Sequence, residues 1–406
     1  MQKAQAKRKN LHQMLASILI FITILVLLAI GIRLASGDVI LGTDYYIFYT
    51  AARMYLHDGI SPYADEVTHM AQLDIYGRLA NPNEDQLAFV YPFFMLFLVI
   101  PFSWLDIYTS QSVWMSINLI ISVYVLTTIL NKRKILLPLA LAFYPYFLGL
   151  FLGNFSNFVG FILLFIIYQL LYCRPSQPTQ ILIGFLLAWL LGKPQLTLIL
   201  LIFIIVFSYT KNQKTLIISF TLSTVILISS SILLFPNWPV IWLQQVRRYA
   251  EFTHSKPAFI LSTIFQNSPL ENFILPTIIG FTLLIILFWY RLNRHENNRW
   301  NLRENLSVVN LLLSTTIFLM PRTLSYDQIL VFIGLVLGTK YLNNYKITIP
   351  LWLFYTSLSW ITFASGDIFG FSSTNVIFPL VASTTWPLIF WLLTRKSTRE
   401  FEYAPS

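Results

Sequence analysis

Asp44 is the carboxylate that the sequence places best for chemistry, in the run Gly42-Thr43-Asp44-Tyr45-Tyr46. It lies just after the first long apolar run, and residues 45–57 place apolar side chains at helical spacing. This pattern predicts an amphipathic helix at a membrane interface. A carboxylate held there among aromatic rings would have a raised pKa and could act as a general base. The alternative is that Asp44 only caps the helix that follows.

Two further polar residues lie at breaks between apolar runs. Lys193, followed by Pro194, interrupts the apolar stretch 181–209. Such a lysine either lines a polar cavity and binds an anion, or extends its ammonium group to the outer surface. Asn154 separates two other apolar runs. Its side chain could contact a sugar hydroxyl or cap the next helix.

Several cations could hold an anionic group. Arg322 could bind a phosphate through two parallel hydrogen bonds, or it could form a structural bridge with Asp327. The segment 236–258 carries four more basic or titratable side chains: Arg247, Arg248, His254 and Lys256. They suit an anionic lipid headgroup, or they form a solvated face balanced by Glu251.

The motifs of common soluble enzymes are missing from this sequence. There is no glycine-rich phosphate loop, no nucleophile elbow and no paired-cysteine metal site, and the five histidines show no ligand spacing. No acidic pair accompanies Asp44, so we predict neither a catalytic metal nor another cofactor. The single cysteine, Cys173, excludes an internal disulfide and is interpreted as an apolar residue.

The composition is typical of membrane proteins. Hydrophobic residues make up 56% of the 406 positions and charged residues 11%, against about 25% charged residues in soluble domains. Apolar runs near the length of a membrane span, about 20 residues, recur from residue 14 to residue 393. We therefore predict one all-α polytopic membrane domain over residues 1–406, with about twelve transmembrane helices. The expected spans are 14–34, 110–130, 135–149, 155–172, 181–192, 196–209, 215–235, 272–291, 305–319, 326–342, 347–364 and 375–393.

The basic residues predict the orientation in the cell membrane. Most of the 27 lysines and arginines lie in short loops that fall on one side if these spans pair, and the positive-inside rule makes that side cytoplasmic. Both tails, 1–13 and 394–406, are then cytoplasmic. The loops 36–109, with its interfacial helices, and 236–271 are extracytoplasmic. The net charge of +10 is thus a signal of orientation rather than of nucleic-acid binding.

One apolar segment, 89–104, does not fit this scheme. It is bounded by Pro92 and Pro101 and is short for a span. Counting it as a crossing would place the basic residues 132–134 outside. We expect a re-entrant or membrane-surface segment instead.

The ordered set of motifs resembles glycosyltransferase family 87, a family of integral-membrane glycosyltransferases of the GT-C class. The resemblance covers roughly residues 37–330. The matching pieces are Gly42-Thr43-Asp44-Tyr45-Tyr46, Tyr49, Ala51-Ala52, Gly59, Ser61-Pro62-Tyr63, Tyr91-Pro92, Pro101, Gly153-Asn154, Gly192-Lys193-Pro194-Gln195 and Pro321-Arg322-Thr323 with Tyr326-Asp327. Two positions depart from the family pattern. Asn154 stands where the family commonly has glutamine, and Tyr91-Pro92-Phe93 replaces Tyr-Pro-Pro.

The resemblance implies a GT-C-type fold and the inverting transfer of a hexose, usually mannose. The donor would be a polyprenyl-phosphate sugar, and the acceptor a lipid or glycan hydroxyl on the extracytoplasmic face. Asp44 would deprotonate that hydroxyl. The residues expected to bind the donor phosphate are Lys193, Arg322, Arg247, Arg248, His254 and Lys256. The residues expected to bind sugar or acceptor are Tyr45, Tyr46, Tyr91, Asn154, Gln195, Tyr326 and Asp327.

Two other functions compete with a transferase. A lipid-linked sugar flippase or transporter would show inverted repeats and polar groups near the middle of the membrane. A non-catalytic scaffold for envelope assembly would not need a buried acid and lysine in one cavity. The polar residues here lie at the predicted outer ends of helices, which favours the enzyme.

Overall fold

The computed structural model describes residues 2–82, 84–295, 302–366 and 373–395, and within these ranges the chain is helical without β-strands. The predicted tail 394–406 therefore lies outside the described residues from residue 396 onward. The α-helices are α1 Gln2–Ser36, α2 Thr43–Asp58, α3 Asp65–Tyr76, α4 Ile107–Leu130, α5 Leu137–Leu141, α6 Tyr144–Phe151, α7 Phe155–Tyr172, α8 Gln177–Leu190, α9 Pro194–Thr210, α10 Lys214–Leu234, α11 Trp238–Phe252, α12 Phe259–Ile264, α13 Glu271–His295, α14 Leu302–Leu319, α15 Ile329–Leu342, α16 Tyr345–Ala364 and α17 Phe378–Thr394.

Seven helices among the described residues are long and apolar enough to cross a membrane. They are α1, α4, α7, α10, α13, α16 and α17. A bent pair, Arg133–Leu141 with Tyr144–Phe151 at 59°, would make an eighth span, while α8 and α9 are apolar but shorter. The chain is therefore a multi-pass membrane protein. Each of the twelve predicted spans coincides with a helix or with the bent pair, but the number of crossings stays a prediction.

The outer surface of the helical bundle is apolar, as contact with lipid requires. Large hydrophobic side chains are exposed along α1, α10 and α13, for example Leu27, Ile226 and Leu284. In a soluble protein such continuous apolar surface would mark a binding interface. In a membrane protein this surface faces the hydrocarbon, and the lipid keeps it away from water.

The core lies where α7, α9, α14 and α15 pack together. Leu163, Leu200, Leu306 and Val336 come from these four helices and are fully buried in one cluster. α7 and α15 have few polar side chains and pack on all sides, which explains why apolar residues surround each helix. This core holds the N-terminal ends of α7, α9 and α15 at one face of the bundle.

The long loop between α1 and α4 forms a second, smaller core over that face. The amphipathic helix expected over residues 45–57 is α2, and it ends at Gly59 in the left-handed conformation (φ 67°). The apolar segment 89–104 forms two short 3₁₀ helices, Phe93–Leu98 and Ile100–Phe102. Its side chains pack with α2 and with Trp114 and Trp238 in a buried cluster. Packing against protein thus accounts for much of its apolar character.

Candidate active site

Asp44 lies in the first turn of α2, outside the spanning helices, and its carboxylate faces another part of the chain. The N-cap position of α2 is Gly42, and no side chain caps this helix. Asp44 Oδ2 instead accepts a hydrogen bond of 2.7 Å from Asn154 Nδ2. Asp44 therefore does not cap this helix.

The surroundings of Asp44 raise its pKa to about 6. Burial is the largest cause, because the charged form loses its water, and the negative charges of Asp85 and Asp327 act in the same direction. The hydrogen bond from Asn154 and the charge of Lys193 lower the pKa and partly offset these effects. A carboxylate with this pKa is ionised near neutral pH and is a stronger base than an ordinary aspartate.

Asn154 caps α7 and contacts Asp44 with the other end of the same amide. Its Oδ1 accepts from Ser156 N at 2.7 Å, and Lys193 Nζ donates to it at 3.3 Å. Because Oδ1 is turned toward these donors, the NH₂ group must face Asp44. The preceding Gly153 has φ 66°, and a Cβ there would lie 2.7 Å from Tyr45 Cβ, so this turn requires glycine.

Lys193 is buried and fully paired at the start of α9. Its Nζ lies 2.7 Å from Asp327 Oδ1, and the two side chains are 3% and 5% exposed. The same nitrogen donates to Asn154 Oδ1 and to Ser156 Oγ and lies 5.0 Å from the Tyr326 ring centre. An ammonium group has three N–H donors, and these partners occupy all three. Lys193 therefore neither extends to the surface nor offers a free donor to a phosphate in this arrangement.

Asp327 joins the last segment of the site to this network. It belongs to the 3₁₀ helix Ser325–Gln328, which immediately precedes α15. Its Oδ1 is 2.7 Å from Ser156 Oγ as well as from Lys193 Nζ. Asp327 thus pairs with Lys193, and the bridge to Arg322 that the sequence left open does not form. The network connects α2, α7, α9 and the start of α15.

Three tyrosines surround the acidic group. Tyr91 packs edge-on against Phe48, with ring centres 4.7 Å apart. The pKa values of Tyr91, Tyr326 and Tyr249 all lie well above the usual value, first because of burial and then because of nearby carboxylates, Asp44 among them. All three hydroxyls therefore stay protonated at neutral pH, and those of Tyr91 and Tyr326 can donate hydrogen bonds to a substrate.

Sequence analysis missed one acid and one aromatic residue of this site, Asp85 and Tyr249. Tyr249 Oη donates to Asp85 at 3.0 Å and 3.1 Å from its two oxygens. Asp85 also accepts from Leu87 N at 3.0 Å, which fixes the loop around it. Asp85 stands among ordinary loop residues, and Tyr249 stands beside a basic cluster that drew attention instead. No local pattern distinguishes either residue.

Arg322 lies near the same group. The positive charge of Arg322 lowers the pKa of Tyr249, whereas the negative charges of Asp85 and Asp44 raise it. Its Nη1 is buried and has no hydrogen-bond partner among the described residues. A buried guanidinium nitrogen without a partner is costly, so this atom is suited to an anionic ligand.

The other predicted phosphate-binding residues lie on the protein surface. Arg247 is 85% exposed and pairs with Glu251 at 3.4 Å on its own helix. Arg248 pairs with Asp65 at 2.6 Å, and Lys256 with Glu271 at 3.7 Å. His254 is exposed. None of these four has a contact with Asp44, Asn154 or Lys193 in the described part of the chain. Their positions agree with the alternative that this segment forms a solvated face.

Two of the predicted sugar-binding tyrosines have structural partners. Tyr45 is fully buried, stacks on Trp114 with ring centres 5.5 Å apart, and shares a 2.7 Å hydrogen bond with Ser110. Tyr46 donates to Asp74 and so joins α2 to α3. Gln195 is exposed in the first turn of α9. The structure thus groups Tyr91, Asn154, Tyr326 and Asp327 with Asp44, and places Tyr45, Tyr46 and Gln195 apart from this group.

The assembled groups can perform acid–base chemistry. Among the described residues, no group of three His, Cys, Asp or Glu side chains could hold a metal ion. The site offers a carboxylate base, a partly unpaired guanidinium and several hydroxyl donors. These groups can remove a proton from a hydroxyl and can stabilise negative charge on a leaving group.

Comparison with known proteins identifies a family. The model of glycosyltransferase family 87 matches residues 89–319, more than half of the chain. The matched range contains Asn154, Lys193 and Asp85's partner Tyr249, while Asp44 lies before it and Arg322 just after it. No curated protein and no solved structure matches the chain.

Proposed function

Since the chain belongs to glycosyltransferase family 87 and is a membrane glycosyltransferase, we propose that it transfers a hexose from a polyprenyl-phosphate donor to a hydroxyl group. Transfer takes place on the membrane face that the basic loops predict to be extracytoplasmic, with inversion at the anomeric carbon. The hexose that the family resemblance favours is mannose. Asp44 is the general base.

The observation that carries this proposal is the environment of Asp44. Its carboxylate is held by the Asn154 amide at 2.7 Å and has a pKa of about 6. A base with a pKa near the working pH combines a large ionised fraction with useful basicity. The second oxygen, Oδ1, has no hydrogen-bond partner among the described residues and is available to an acceptor hydroxyl.

The proposed step is a single displacement. The acceptor hydroxyl gives its proton to Asp44, and its oxygen forms a new bond to the anomeric carbon. The bond from that carbon to the phosphate oxygen breaks, and the polyprenyl phosphate leaves with the electron pair. Attack from the face opposite the leaving group inverts the configuration. A positioned base contributes about 10²–10⁴-fold to the rate of such a step.

Arg322 is the cation that we assign to the leaving phosphate. Its Nη1 is buried without a partner among the described residues. The charges of Arg322 and Asp44 both affect the pKa of Tyr249. The surface cations Arg247 and Lys256 are already paired with acids. A preorganised guanidinium away from water stabilises developing phosphate charge more strongly than a solvated one.

Lys193 takes a different role from the one expected from the sequence. With all three donors engaged by Asn154, Ser156 and Asp327, it holds the Asn154 amide in the orientation that Asp44 needs. We therefore propose Lys193 and Asp327 as positioning residues for the base. The lipid donor keeps its chain in the bilayer, and its phosphate reaches the helix ends at headgroup depth.

The test is incubation of the purified protein in liposomes with a radiolabelled polyprenyl-phosphate hexose and a membrane-lipid extract. We expect label in a new glycoconjugate whose anomeric configuration is opposite to that of the donor. The same reaction with Asp44→Asn should give no labelled product. Label that crosses the bilayer without forming a product would show a transporter and overturn the proposal.

A further inference from the structure

A cavity of about 450 Å³ lies at the end of the helical bundle opposite the candidate active site. It is formed by the loop after α7 and by the α9–α10 turn, residues 211–213. Asn154 and Lys193 precede the N-terminal ends of α7 and α9, whereas the cavity lies at the C-terminal ends of these helices. Since α9 has 17 residues, it spans about 26 Å. A ligand in this cavity therefore does not touch Asp44 or Lys193.

The lining of this cavity is basic. Arg174 and Lys211 contribute positive charge, and no carboxylate is among the described residues that line it. The sequence contains no Asp or Glu between Asp106 and Glu251. A cation just after a helix C-terminus is common, however, because it complements the helix dipole. The charges alone therefore do not identify a binding site.

Gln213 indicates a ligand in this cavity. Its side chain is more than nine-tenths buried and lines the cavity, and its Oε1 has no hydrogen-bond partner among the described residues. The backbone fixes this position: Asn212 has φ 55°, and Gln213 N donates to Ser208 O at 2.9 Å, as in the Schellman ending of a helix. A buried amide oxygen without a partner is costly. Gln213 thus favours a ligand that carries a hydrogen-bond donor.

A neighbouring cavity of about 440 Å³ shares the α9–α10 turn. Gln213 lines both cavities, and the second one adds Lys214 and Ser208. Ser208 is fully buried, and its Oγ also has no partner among the described residues. α10 begins at Lys214 without a side-chain cap, so its first N–H groups add positive potential. Positive charge and unsatisfied polar atoms therefore occur together around this turn.

We propose that the α9–α10 turn and Arg174 bind a phosphoglycerol group, an anionic phosphate that carries free glycerol hydroxyls. The phosphate lies against Arg174 and Lys211, and a glycerol hydroxyl donates to Gln213 Oε1. A phosphate without glycerol lacks this donor. An ethanolamine phosphate has donors, but its ammonium group is repelled by the two cations.

The surroundings of the turn favour a lipid as the source of this group. Tyr209 is exposed just before the turn, and Ile218 and Leu222 are exposed along α10. Exposed tyrosines are typical of headgroup depth in a membrane. The basic loops predict this face to be cytoplasmic, where anionic lipids attract lysine and arginine. Phosphatidylglycerol carries the required headgroup, and soluble glycerol 3-phosphate is the other source of the same chemistry.

A lipid titration tests the site without requiring sugar transfer. The delipidated protein in detergent is titrated with dioleoyl forms of phosphatidylglycerol, phosphatidylethanolamine and phosphatidic acid, and native mass spectrometry measures each Kd. We expect phosphatidylglycerol to bind about tenfold more tightly than phosphatidylethanolamine, because the latter has no net charge. It should bind about fivefold more tightly than phosphatidic acid, because of the hydroxyl contact with Gln213.

Two variants separate the contribution of charge from that of the amide. Arg174→Gln, at an exposed loop position, should weaken phosphatidylglycerol binding about tenfold, because a charge-assisted hydrogen bond is lost. Gln213→Leu should weaken it about fivefold and abolish the preference over phosphatidic acid. The matched controls are Lys346→Gln and Gln177→Leu, an exposed cation and an exposed amide at the same end of the bundle. Both should keep the affinity of the unaltered protein.

Competition with glycerol 3-phosphate identifies the source of the ligand. Displacement of phosphatidylglycerol by millimolar glycerol 3-phosphate would assign a soluble ligand, and binding that resists it would assign the lipid. Either result supports a phosphoglycerol site.

Three results would overturn the proposal. They are equal affinities for phosphatidylglycerol and phosphatidylethanolamine, an effect of Lys346→Gln as large as that of Arg174→Gln, and an unchanged preference over phosphatidic acid in Gln213→Leu. If Gln213→Leu does not fold, the comparison of Arg174→Gln with Lys346→Gln decides. None of these results bears on the transferase proposal, because the site lies at the other end of α9.

Discussion

Two charged regions of the chain lie on the same side of the helical bundle and differ in almost every physical respect. In the buried region, Lys193 and Asp327 are separated by 134 positions and are almost inaccessible to solvent. In the surface region, Arg247 pairs with Glu251 one helical turn away, and both side chains are exposed. The first pair is built by the tertiary fold, and the second by a single helix.

The number of charges in a segment is thus a poor guide to the position of the site. The surface segment 236–258 carries more cations than the buried region, and the sequence analysis counted its basic residues among the phosphate candidates. An exposed ion pair contributes about 0–1 kcal/mol and is screened by salt. Buried charges interact far more strongly and must be fully satisfied. Function is therefore expected where few charges are buried together.

The sharpest test compares Asp44→Asn with Asp38→Asn. Asp44 is the proposed base, so its amide variant should lose about 10²–10⁴-fold in kcat, measured as labelled product from a polyprenyl-phosphate hexose. Asp38 is 80% exposed and pairs with Arg33, and its variant should keep normal activity. Both variants should have the Tm of the unaltered protein. Full activity of Asp44→Asn would remove Asp44 as the base.

Loss of one partner from the buried pair should reduce stability strongly. Lys193→Met leaves Asp327 charged without its ammonium partner, and we expect a loss of about 3–5 kcal/mol in the free energy of unfolding, seen as a lower Tm in detergent. Arg247→Met, the matched surface change, should shift Tm little. Combining Lys193→Met with Asp327→Leu should recover part of the loss. A single variant as stable as the double one would contradict a buried ion pair.

The pH dependence should reveal the raised pKa of Asp44. A general base acts in its ionised form, so kcat/KM should fall about tenfold for each pH unit below about 6. Asn154→Ala removes a hydrogen bond that lowers this pKa, and the falling limb should therefore move to higher pH. The measurement is a pH–rate profile of each protein between pH 4 and about 8. A shift toward lower pH in Asn154→Ala would count against Asp44 as the titrating group.

The smallest effect is expected from the surface cation. Arg247→Ala should change the donor KM less than about twofold, because an exposed, locally paired arginine contributes little to binding. Arg322→Ala should raise it by about tenfold or more, because its free guanidinium nitrogen is buried. A larger effect at Arg247 than at Arg322 would return the phosphate site to the segment 236–258.

Local sequence patterns predicted much of the helical architecture. Long apolar runs fixed the approximate positions of the spanning helices, since a helix satisfies its own backbone in lipid. Pro194 and Gly59 marked the start of α9 and the end of α2. The prediction was less complete where an apolar segment packs on protein, as in 93–102, because composition alone does not distinguish lipid from a protein core.

The candidate site was only partly accessible to the same reasoning. Asp44, Asn154, Lys193 and Asp327 were singled out one by one, as polar residues at helix ends. Their mutual contacts were not, because the residues joined by the Asp44–Asn154 hydrogen bond are 110 positions apart. Asp85 was missed since its role depends on Tyr249, 164 positions away.

Local sequence patterns therefore show that this chain forms apolar helices in a membrane, and they show which polar residues interrupt these helices. These features can be predicted because hydrophobic periodicity and helix-ending residues depend only on neighbouring positions in the chain. The pairing of Lys193 with Asp327 and the contact of Asn154 with Asp44 are seen only in the folded chain. Such contacts depend on how whole helices pack, and the low polarity of the packed interior sets the strength of the charges that meet there.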